Sequence, residues 1–372
     1  MQLRSTGQAI TVGGAVIAMV AGIAACSSSS SSSSASPSSS GSAGGSSSTG
    51  SSGGSASGTL NAGGSTFQLN FQQAAIQEFE QSNPSVKVNY AGVGSGTGRS
   101  DLYKNTVLLA GSDSPIPSKE ASEVPAGKTV LYFPVQVGPI AIAYNLSGIK
   151  GLKLDATVLA GIYQGQIKTW NDPAIKALNP GVSLPGTAIT LAVRSDSSGT
   201  TQNFSQYLVD AAGSAWKLGT SSIINWPSSA RAGNGGSGVA QIVKSTPGAV
   251  GYVDFSTATA SGLTAATIKN SAGDYVAPSS AGATAAATHV TPKSDLTFAT
   301  VDEPGATSYP ITYQSWDLVY AKQPNANDVK LLQAYLGYLL GQGQSLLTSL
   351  NLAPLPSAID SAAKAQLSKI TS

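Results

Sequence analysis

Residues Arg194–Thr201 carry the side chains whose types and spacing are best suited to chemistry. The segment reads Arg-Ser-Asp-Ser-Ser-Gly-Thr-Thr, so a guanidinium, a carboxylate and several hydroxyls stand within one short loop. We predict that a helix follows directly, and a helix start offers unpaired N–H groups and the positive end of a dipole to small anions. The Arg194 guanidinium adds a planar set of donors that fits a tetrahedral oxyanion. The segment therefore predicts an anion site, and phosphate is the anion we expect.

Three further loops combine glycines or strand ends with small hydroxyl-bearing residues. They are Ser65-Thr66-Phe67, Gly94-Ser95-Gly96 and Gly111-Ser112-Asp113. Taken alone, each loop is typical of ordinary helix capping, because Ser and Thr cap helices in many proteins. Four such loops at predicted strand ends favour one shared ligand site, since ligands of open α/β sheets bind at the carboxyl ends of the strands.

The elements that must position these loops alternate between strands and helices, which predicts an α/β sheet. Val130–Asn145 reads as two strands end to end, interrupted by Pro134 and Pro139, and the chain after Leu340 ends in a loose tail. The periodicity predicts other strands at Thr59–Gly64, Val86–Tyr90, Val107–Ala110, Ala188–Val193, Ala249–Phe255 and Ile311–Ala321, with a hairpin tip at Asn270–Asp274. It predicts helices from a Thr66 cap to Gln81, at 156–163, 173–178, Thr201–Ala212, Gly238–Ser245 and Asn327–Leu340, and a short one after Gly98.

The first 25 residues read as an export signal of the lipoprotein type. Arg4 precedes an apolar stretch that is short for a membrane span, and Ile23-Ala24-Ala25-Cys26 resembles a bacterial lipobox. We expect lipidation of Cys26, which would anchor the protein to a membrane without spanning it. Residues 26–58 then form a Ser/Gly linker, predicted to be a disordered tether with a reach of about 30 Å.

Composition excludes several other classes of function. The chain has 20 Lys and Arg against 18 Asp and Glu, which argues against a basic surface for nucleic acid. It has one Cys and one His, so neither a disulfide framework nor a metal site is expected. Ser198 lacks a histidine base, and the glycine run Gly233–Gly238 lacks the acidic residue that a dinucleotide site needs. We therefore predict no cofactor and no enzymatic activity.

Several longer segments identify a family by resemblance. They are Ala62–Phe67, Tyr163–Asp172, Leu178–Gly181 with Leu184–Gly186, Arg194–Thr200, Pro247–Val253 and Tyr309–Thr312. Together they resemble the phosphate-binding protein of ABC-type phosphate importers, a branch of the type II periplasmic binding proteins. The resemblance runs through nearly the whole chain after the linker, in the expected order.

This resemblance implies a two-lobed fold with a two-stranded hinge that closes over one dehydrated phosphate. Lobe I would comprise residues 59–137 and 309–372, and lobe II residues 138–308. The chain would cross between the lobes near Val135–Gly138 and near Tyr309.

The resemblance also implies the ligand contacts. Thr66 and Phe67 would donate backbone N–H groups, and the Thr66 hydroxyl and both donors of Ser95 would add to them. Arg194 would be the sole cation on the ligand, with its fork held by Asp196. The remaining ligands would be Asp113 and the helix start formed by Ser198, Gly199 and Thr200.

Asp113 carries the expected selectivity. A carboxylate repels an anion in a dry pocket unless the anion has a proton to donate. Orthophosphate carries such a proton at neutral pH and sulfate does not, so we predict that Asp113 rejects sulfate. Without the resemblance, a helix-capping Asp before Ser114-Pro115 is the alternative interpretation.

The predicted function is therefore capture of inorganic phosphate outside the cytoplasmic membrane. The resemblance implies delivery to the permease subunits of an ABC importer, and through them to its ATPase. A phosphate-sensing or adhesive surface lipoprotein, or a binding protein for another tetrahedral oxyanion, stays open as an alternative.

Overall fold

The computed structural model describes residues 55–372, so the signal peptide, Cys26 and nearly all of the linker lie outside the described residues. The strands are β1 Gly58–Gly64, β2 Val86–Gly92, β3 Leu109–Ser112, β4 Val130–Tyr144, β5 Lys153–Leu154, β6 Thr190–Arg194, β7 Arg231–Gly233, β8 Ala249–Asp254, β9 Thr264–Ala265, β10 Thr267–Lys269, β11 Tyr275–Val276 and β12 Thr312–Tyr320. The helices are α1 Leu69–Ser82, α2 Ser95–Tyr103, α3 Ala156–Tyr163, α4 Pro173–Leu178, α5 Gly199–Ala212, α6 Gly235–Ser245, α7 Phe255–Ala260, α8 Ser280–Ala287, α9 Ala326–Leu340 and α10 Ser357–Gln366.

Nine strands form one sheet in the order β2-β1-β3-β12-β4-β8-β6-β7, and β9 pairs with β4. At one side β1 lies parallel to β2 and β3, and at the other β6 lies parallel to β7 and β8. Between them, β12 and β4 run antiparallel to their neighbours. The remaining strands, β5, β10 and β11, form a small separate sheet. The predicted α/β class is therefore confirmed.

The long strand β4 joins the two halves of the large sheet. It pairs with β12 from Val130 to Pro139 and with β8 from Ile140 to Tyr144. Pro134 lies at a register shift opposite Ser315 and Trp316, and Pro139 lies where the pairing partner changes. Both positions tolerate a residue without an N–H group. The two strands predicted end to end are thus one continuous strand.

The change of partner within β4 falls between Pro139 and Ile140, close to residue 138, the predicted start of lobe II. The returning segment lies beside it, because the Ile140 N–H donates to the Ile311 carbonyl oxygen at 2.8 Å. The lobe boundaries given above, 59–137 with 309–372 and 138–308, stay predictions.

Three local expectations were wrong. Thr66 does not cap α1, which begins at Leu69; the Thr66 carbonyl accepts from the Leu69 N–H instead. The helix predicted to start at Gly238 begins at Gly235. The chain after Leu340 is no loose tail, because α10 and several turns pack there and bury apolar side chains such as Ile359.

One continuous apolar core underlies both halves of the sheet. It includes fully buried side chains on each half: Leu60, Phe71, Leu109, Leu332 and Leu336, and Leu159, Phe204, Tyr207, Leu208 and Tyr252. Each buried side chain of this size contributes roughly 1.5–3 kcal/mol relative to exposure. Within residues 55–372, every helix is too short or too polar to cross a membrane.

Candidate anion-binding site

Asp113 follows β3, at the carboxyl end of a strand near the middle of the sheet, and its side chain is 1% exposed. Its Oδ1 accepts hydrogen bonds from the hydroxyls of Ser65 at 2.5 Å and Ser315 at 2.6 Å. Its Oδ2 has a longer contact of 3.3 Å with the Ser95 hydroxyl. One carboxylate oxygen is thus fully engaged, and the other keeps acceptor capacity.

Arg194 ends β6, a strand of the other half of the sheet, and is 6% exposed. Its Nε and Nη2 donate to the two carboxylate oxygens of Asp196 at 2.8 and 2.5 Å. Its Nη1 donates to the Thr200 hydroxyl at 3.3 Å. Asp196 also accepts from the Gly235 N–H at 3.0 Å. Asp196 therefore fixes one edge of the guanidinium, and the other edge faces the start of α5.

Burial and charge act against each other on these groups. Burial lowers the pKa of Arg194, but its hydrogen bond and charge contact with Asp196 help to raise that pKa above its ordinary value. Burial raises the pKa of Asp196, and Arg194 reverses this so that the pKa is lowered overall. Burial raises the pKa of Asp113 above its usual range, although Ser315, Ser65 and Arg194 oppose the shift. Arg194 and Asp196 are thus a stable ion pair, while Asp113 is the carboxyl whose charge depends on its partners.

The start of α5 supplies N–H donors. Ser198 precedes the helix, and its hydroxyl accepts from the Thr201 N–H at 3.1 Å while its carbonyl accepts from the Gln202 N–H. The N–H groups of Gly199 and Thr200 come before these bonds, where a helix has no internal acceptor for them. They are available to an anion, as the sequence predicted for this helix start.

Asp113 and Ser95 on one side, and the start of α5 on the other, approach each other at Gly199. A methyl group built on Gly199 would lie 2.6 Å from both Asp113 Oδ2 and Ser95 Oγ. Close by, the Gly96 N–H at the start of α2 donates to the Ser197 carbonyl oxygen at 3.0 Å. The structure therefore brings Ser95, Asp113 and the start of α5 into one place, with Arg194 beside Thr200.

Thr66 and Phe67 border the same region with one difference from the sequence expectation. The Phe67 N–H donates to the Ser65 hydroxyl at 3.1 Å, so in this arrangement it is not free for a ligand. The Thr66 hydroxyl oxygen is buried and, among the described residues, has no hydrogen-bond partner. A buried polar group without a partner is costly, and a ligand that accepts its hydrogen would satisfy it.

Tyr313 is a second buried group of this kind. Its ring stacks on Phe67 with centroids 4.0 Å apart, and its hydroxyl is without a hydrogen-bond partner in the described part of the chain. Burial, with a smaller effect of the Asp113 charge, raises the pKa of Tyr313, and Arg194 opposes the shift, so this hydroxyl stays protonated and can donate.

The sequence interpretation missed several residues that hold the site together. Ser65 and Ser315 bind the Asp113 carboxylate, and the Asn203 side-chain amide donates to the Asp113 carbonyl oxygen at 2.7 Å. Polar residues inside the buried strand β12, such as Gln314, Ser315 and Asp317, were the available signal. Burying polar side chains in a strand requires dedicated partners.

Arg99 is a further buried guanidinium that the sequence interpretation did not consider. Its Nε and Nη2 donate to Glu120 at 2.8 and 2.9 Å, and its Nη1 donates to the Ser112 hydroxyl at 2.9 Å. Glu120 and Ser112 thus engage all three nitrogens of this guanidinium. Within residues 55–372 there is also no group of three or more His, Cys, Asp or Glu side chains that could hold a metal ion.

The arrangement suits a small oxyanion that carries a proton. One guanidinium edge, the first N–H groups of a helix and several hydroxyls are donors, and a single carboxylate oxygen is the acceptor among them. Comparison with known proteins agrees with this chemistry. The PBP superfamily domain matches residues 49–342. "Phosphate-binding protein PstS 3" of Mycobacterium leprae is 38% identical over 314 residues, covering 82% of this chain and 84% of that protein. The chain belongs to the PstS phosphate-binding proteins.

Other members of the PstS family are similarly close. "Phosphate-binding protein PstS" of Haemophilus influenzae is 34% identical over 299 residues, which cover 79% of this chain and 87% of that protein. Among solved structures, a high-affinity periplasmic phosphate-binding protein (PfluDING) bound with phosphate superposes with a TM-score of 0.70 at 22% identity, covering 83% of this chain and 94% of that one. At this level of identity the superposition shows the fold alone, and this PstS protein shares the two-lobed fold of that structure.

Proposed function

We propose that this protein binds inorganic phosphate outside the cytoplasmic membrane and delivers it to an ABC phosphate importer. The observation that carries the proposal is the meeting of Asp113 with the start of α5 beside Arg194. A methyl group at Gly199 would clash with Asp113 and Ser95, so only glycine lets the helix start approach these two groups.

In this proposal each predicted ligand has a defined task. Arg194 Nη1 and the N–H groups of Gly199 and Thr200 neutralise the charge of the ion, and the hydroxyls of Thr66, Ser95 and Ser198 complete the donors. Asp113 Oδ2 accepts the proton of the ion. The Phe67 N–H donates to the Ser65 hydroxyl and is not a ligand donor in this arrangement. Phe67 contributes its ring instead, which packs on Tyr313 at the border of the site.

The protein acts as a carrier and not as an enzyme in this proposal. Its relatives carry the name of phosphate-binding proteins. Permease subunits would receive the closed form, and phosphate favours that form only through the better contacts it makes there. A sensing or adhesive role would use the same pocket with a different output.

Calorimetry of the phosphate-stripped protein tests the ligand. We expect heat of binding with phosphate and none with sulfate or with a phosphate ester at matched concentration. Equal binding of sulfate would favour a general oxyanion-binding protein, and tight binding of the ester would favour a different ligand class. Failure to bind phosphate would refute the proposal.

Gly199→Ala should weaken phosphate binding by more than about tenfold. The added methyl group would lie 2.6 Å from Asp113 Oδ2 and from Ser95 Oγ, so these groups must move apart to accommodate it. The measurement is the dissociation constant by calorimetry. Gly337→Ala is the matched control, because a methyl group there meets its nearest atom at 3.8 Å and lies within a helix. An unchanged affinity in Gly199→Ala would contradict the placement of the pocket.

We also propose that Cys26 is lipidated and anchors the protein to the membrane. Cys26→Ala should then release the protein into the soluble fraction of cells that express it, because one lipid attachment site is lost. Ser27→Ala is the neighbouring control and should stay in the membrane fraction. Membrane fractionation followed by immunodetection is the measurement, and a Cys26→Ala protein that stays with the membrane would exclude this anchor.

A further inference from the structure

We infer that Ser65 and Ser315 determine the selectivity of the site by fixing which oxygen of Asp113 can accept a proton. This inference rests on the proposed function, because it concerns the same pocket. Both hydroxyls bind Oδ1, and their hydrogen-bond directions follow from their other partners.

The direction at Ser65 is set by a backbone amide. The Phe67 N–H can only donate, so at 3.1 Å the Ser65 oxygen must be its acceptor. The single proton of the Ser65 hydroxyl is then left for the Asp113 Oδ1 at 2.5 Å. Ser65 is therefore a donor to the carboxylate.

The direction at Ser315 is set through Gln68. The Gln68 amide nitrogen lies 2.9 Å from the Trp316 carbonyl oxygen, which can only accept, so this atom is identified as the NH2 group. The same nitrogen donates to the Ser315 oxygen at 2.7 Å. The Ser315 proton then goes to Asp113 Oδ1 at 2.6 Å, which is closer than the Ser112 carbonyl oxygen at 3.3 Å.

Two donated hydrogen bonds leave no place for a proton on Oδ1. Any proton between Asp113 and a ligand must lie at Oδ2, which faces Gly199 and Ser95. The two serines also favour the ionised carboxylate, because hydrogen bonds donated to the charged form stabilise it against burial. The site is thus held as a proton acceptor and selects oxyanions that have a proton to give.

Without the two hydroxyls the buried carboxyl would protonate more readily. A protonated Asp113 becomes a hydrogen-bond donor, and it can then donate to sulfate as well as to phosphate. We therefore expect the Ser65→Ala/Ser315→Ala double variant to bind sulfate better than the wild type does, and to do so increasingly as the pH falls.

The experiment measures dissociation constants for phosphate and for sulfate at about pH 5.5 and about pH 8, because a carboxyl whose pKa is raised by burial is protonated more at the lower pH. The ratio of phosphate to sulfate affinity should fall about tenfold to a hundredfold in the double variant at the lower pH, which is the value of one or two charge-assisted hydrogen bonds. At the higher pH the fall should be smaller.

Other groups near Asp113 titrate or carry charge as well, so each variant is compared with the wild type at the same pH. The groups that act on Asp113 or lie beside it are Arg194 on β6, Asp254 at the end of β8, Tyr313 on β12, Tyr90 on β2 and, bonded to Ser112, Arg99 on α2. Asp317 on β12 is bonded to Gln72 and is linked through Gln68 to Ser315. Burial raises the pKa of Asp254 to about 6 and that of Asp317 to about 7. Because Asp254 and Asp113 act on each other through their charges, the ratio of the two affinities, and not either affinity alone, is compared between variant and wild type at each pH.

Two controls separate a direct effect from loss of packing. Ser112→Ala removes another buried hydroxyl next to Asp113, one that donates to the Ser114 carbonyl oxygen and not to the carboxylate. Ser65→Thr keeps the hydroxyl. Both should keep the ratio of the wild type at each pH. If the double variant does not fold, Ser315→Ala alone should show a part of the pH-dependent fall.

The outcomes separate this inference from the proposed function. If the wild type does not bind phosphate, the proposed function fails. If the wild type binds phosphate and rejects sulfate, and the serine variants keep its ratio at both pH values, the proposed function stands and the role of Ser65 and Ser315 is overturned. A fall that is equal at both pH values would also overturn it, because it would indicate a packing effect.

Discussion

Replacing Arg194 by alanine will weaken phosphate binding by about 2–5 kcal/mol, which is roughly a 30-fold to 5,000-fold rise in the dissociation constant. The guanidinium is buried, and its Nη1 edge faces the start of α5. The variant loses this charge and leaves Asp196 as an unpaired carboxylate whose negative charge repels the ion. Calorimetry or competition with labelled phosphate gives the constant.

Two variants show whether the loss is specific to the pocket. Arg231→Ala removes an exposed arginine whose side chain hydrogen-bonds to Thr246, outside the predicted pocket, and we expect no change in affinity. Arg194→Lys keeps a positive charge without the bidentate contact to Asp196. Its affinity for phosphate should lie between those of the wild type and Arg194→Ala. A loss of less than threefold in Arg194→Ala would discredit the assignment of this arginine.

Asp113→Asn will reduce the preference for phosphate over sulfate by at least about a hundredfold, since a site that pairs with one group of its ligand can reject the analogue by ~10⁴–10⁵. Ser65 and Ser315 donate to one oxygen of residue 113, so the amide oxygen will take that place. The NH2 group will then face the ligand, where it donates to either ion. Competition binding with sulfate against labelled phosphate gives the ratio.

Asp254→Asn is the matched control for this change. Asp254 is also a 1% exposed carboxyl at the end of a strand, but it caps α7 by accepting from the Thr257 N–H. Asp254→Asn should stay close to the wild-type ratio and change it far less than Asp113→Asn does, although the Asp254 charge acts on Asp113. If Asp113→Asn also keeps that ratio, the proton of the ion is not what the site recognises.

Local signals allowed part of the site to be predicted. The segment Arg194–Thr201 predicted a helix start beside a guanidinium, and Ser198 caps α5 through the Thr201 N–H. The pairing of Asp196 with Arg194 was implied by the family resemblance, and the two side chains are bonded in the structure. The alternating elements likewise predicted the α/β sheet. Helix starts and strand periodicity depend on a few consecutive residues, which is why these inferences held.

The contacts that the sequence did not predict join distant parts of the chain. Ser315 binds Asp113 across 202 residues, and it can do so because β12 lies antiparallel to β3 with Trp316 opposite Ser112. A local sequence pattern does not report which strands become neighbours in the sheet. The engagement of the Phe67 N–H by Ser65 is local, but it depends on the Ser65 hydroxyl being drawn to Asp113.

Pro139 has a consequence for how the ion enters and leaves. It stands where β4 exchanges one neighbour for another, and proline has no N–H, so a twist of the backbone at this residue breaks no ladder bond that it donates. The adjacent Ile140 N–H donates to the Ile311 carbonyl oxygen, so the two segments predicted to cross between the lobes are tied together here and would twist as a pair. We expect the bonds between α2 and the loop before α5, and not those of the sheet, to set how fast the trapped ion escapes.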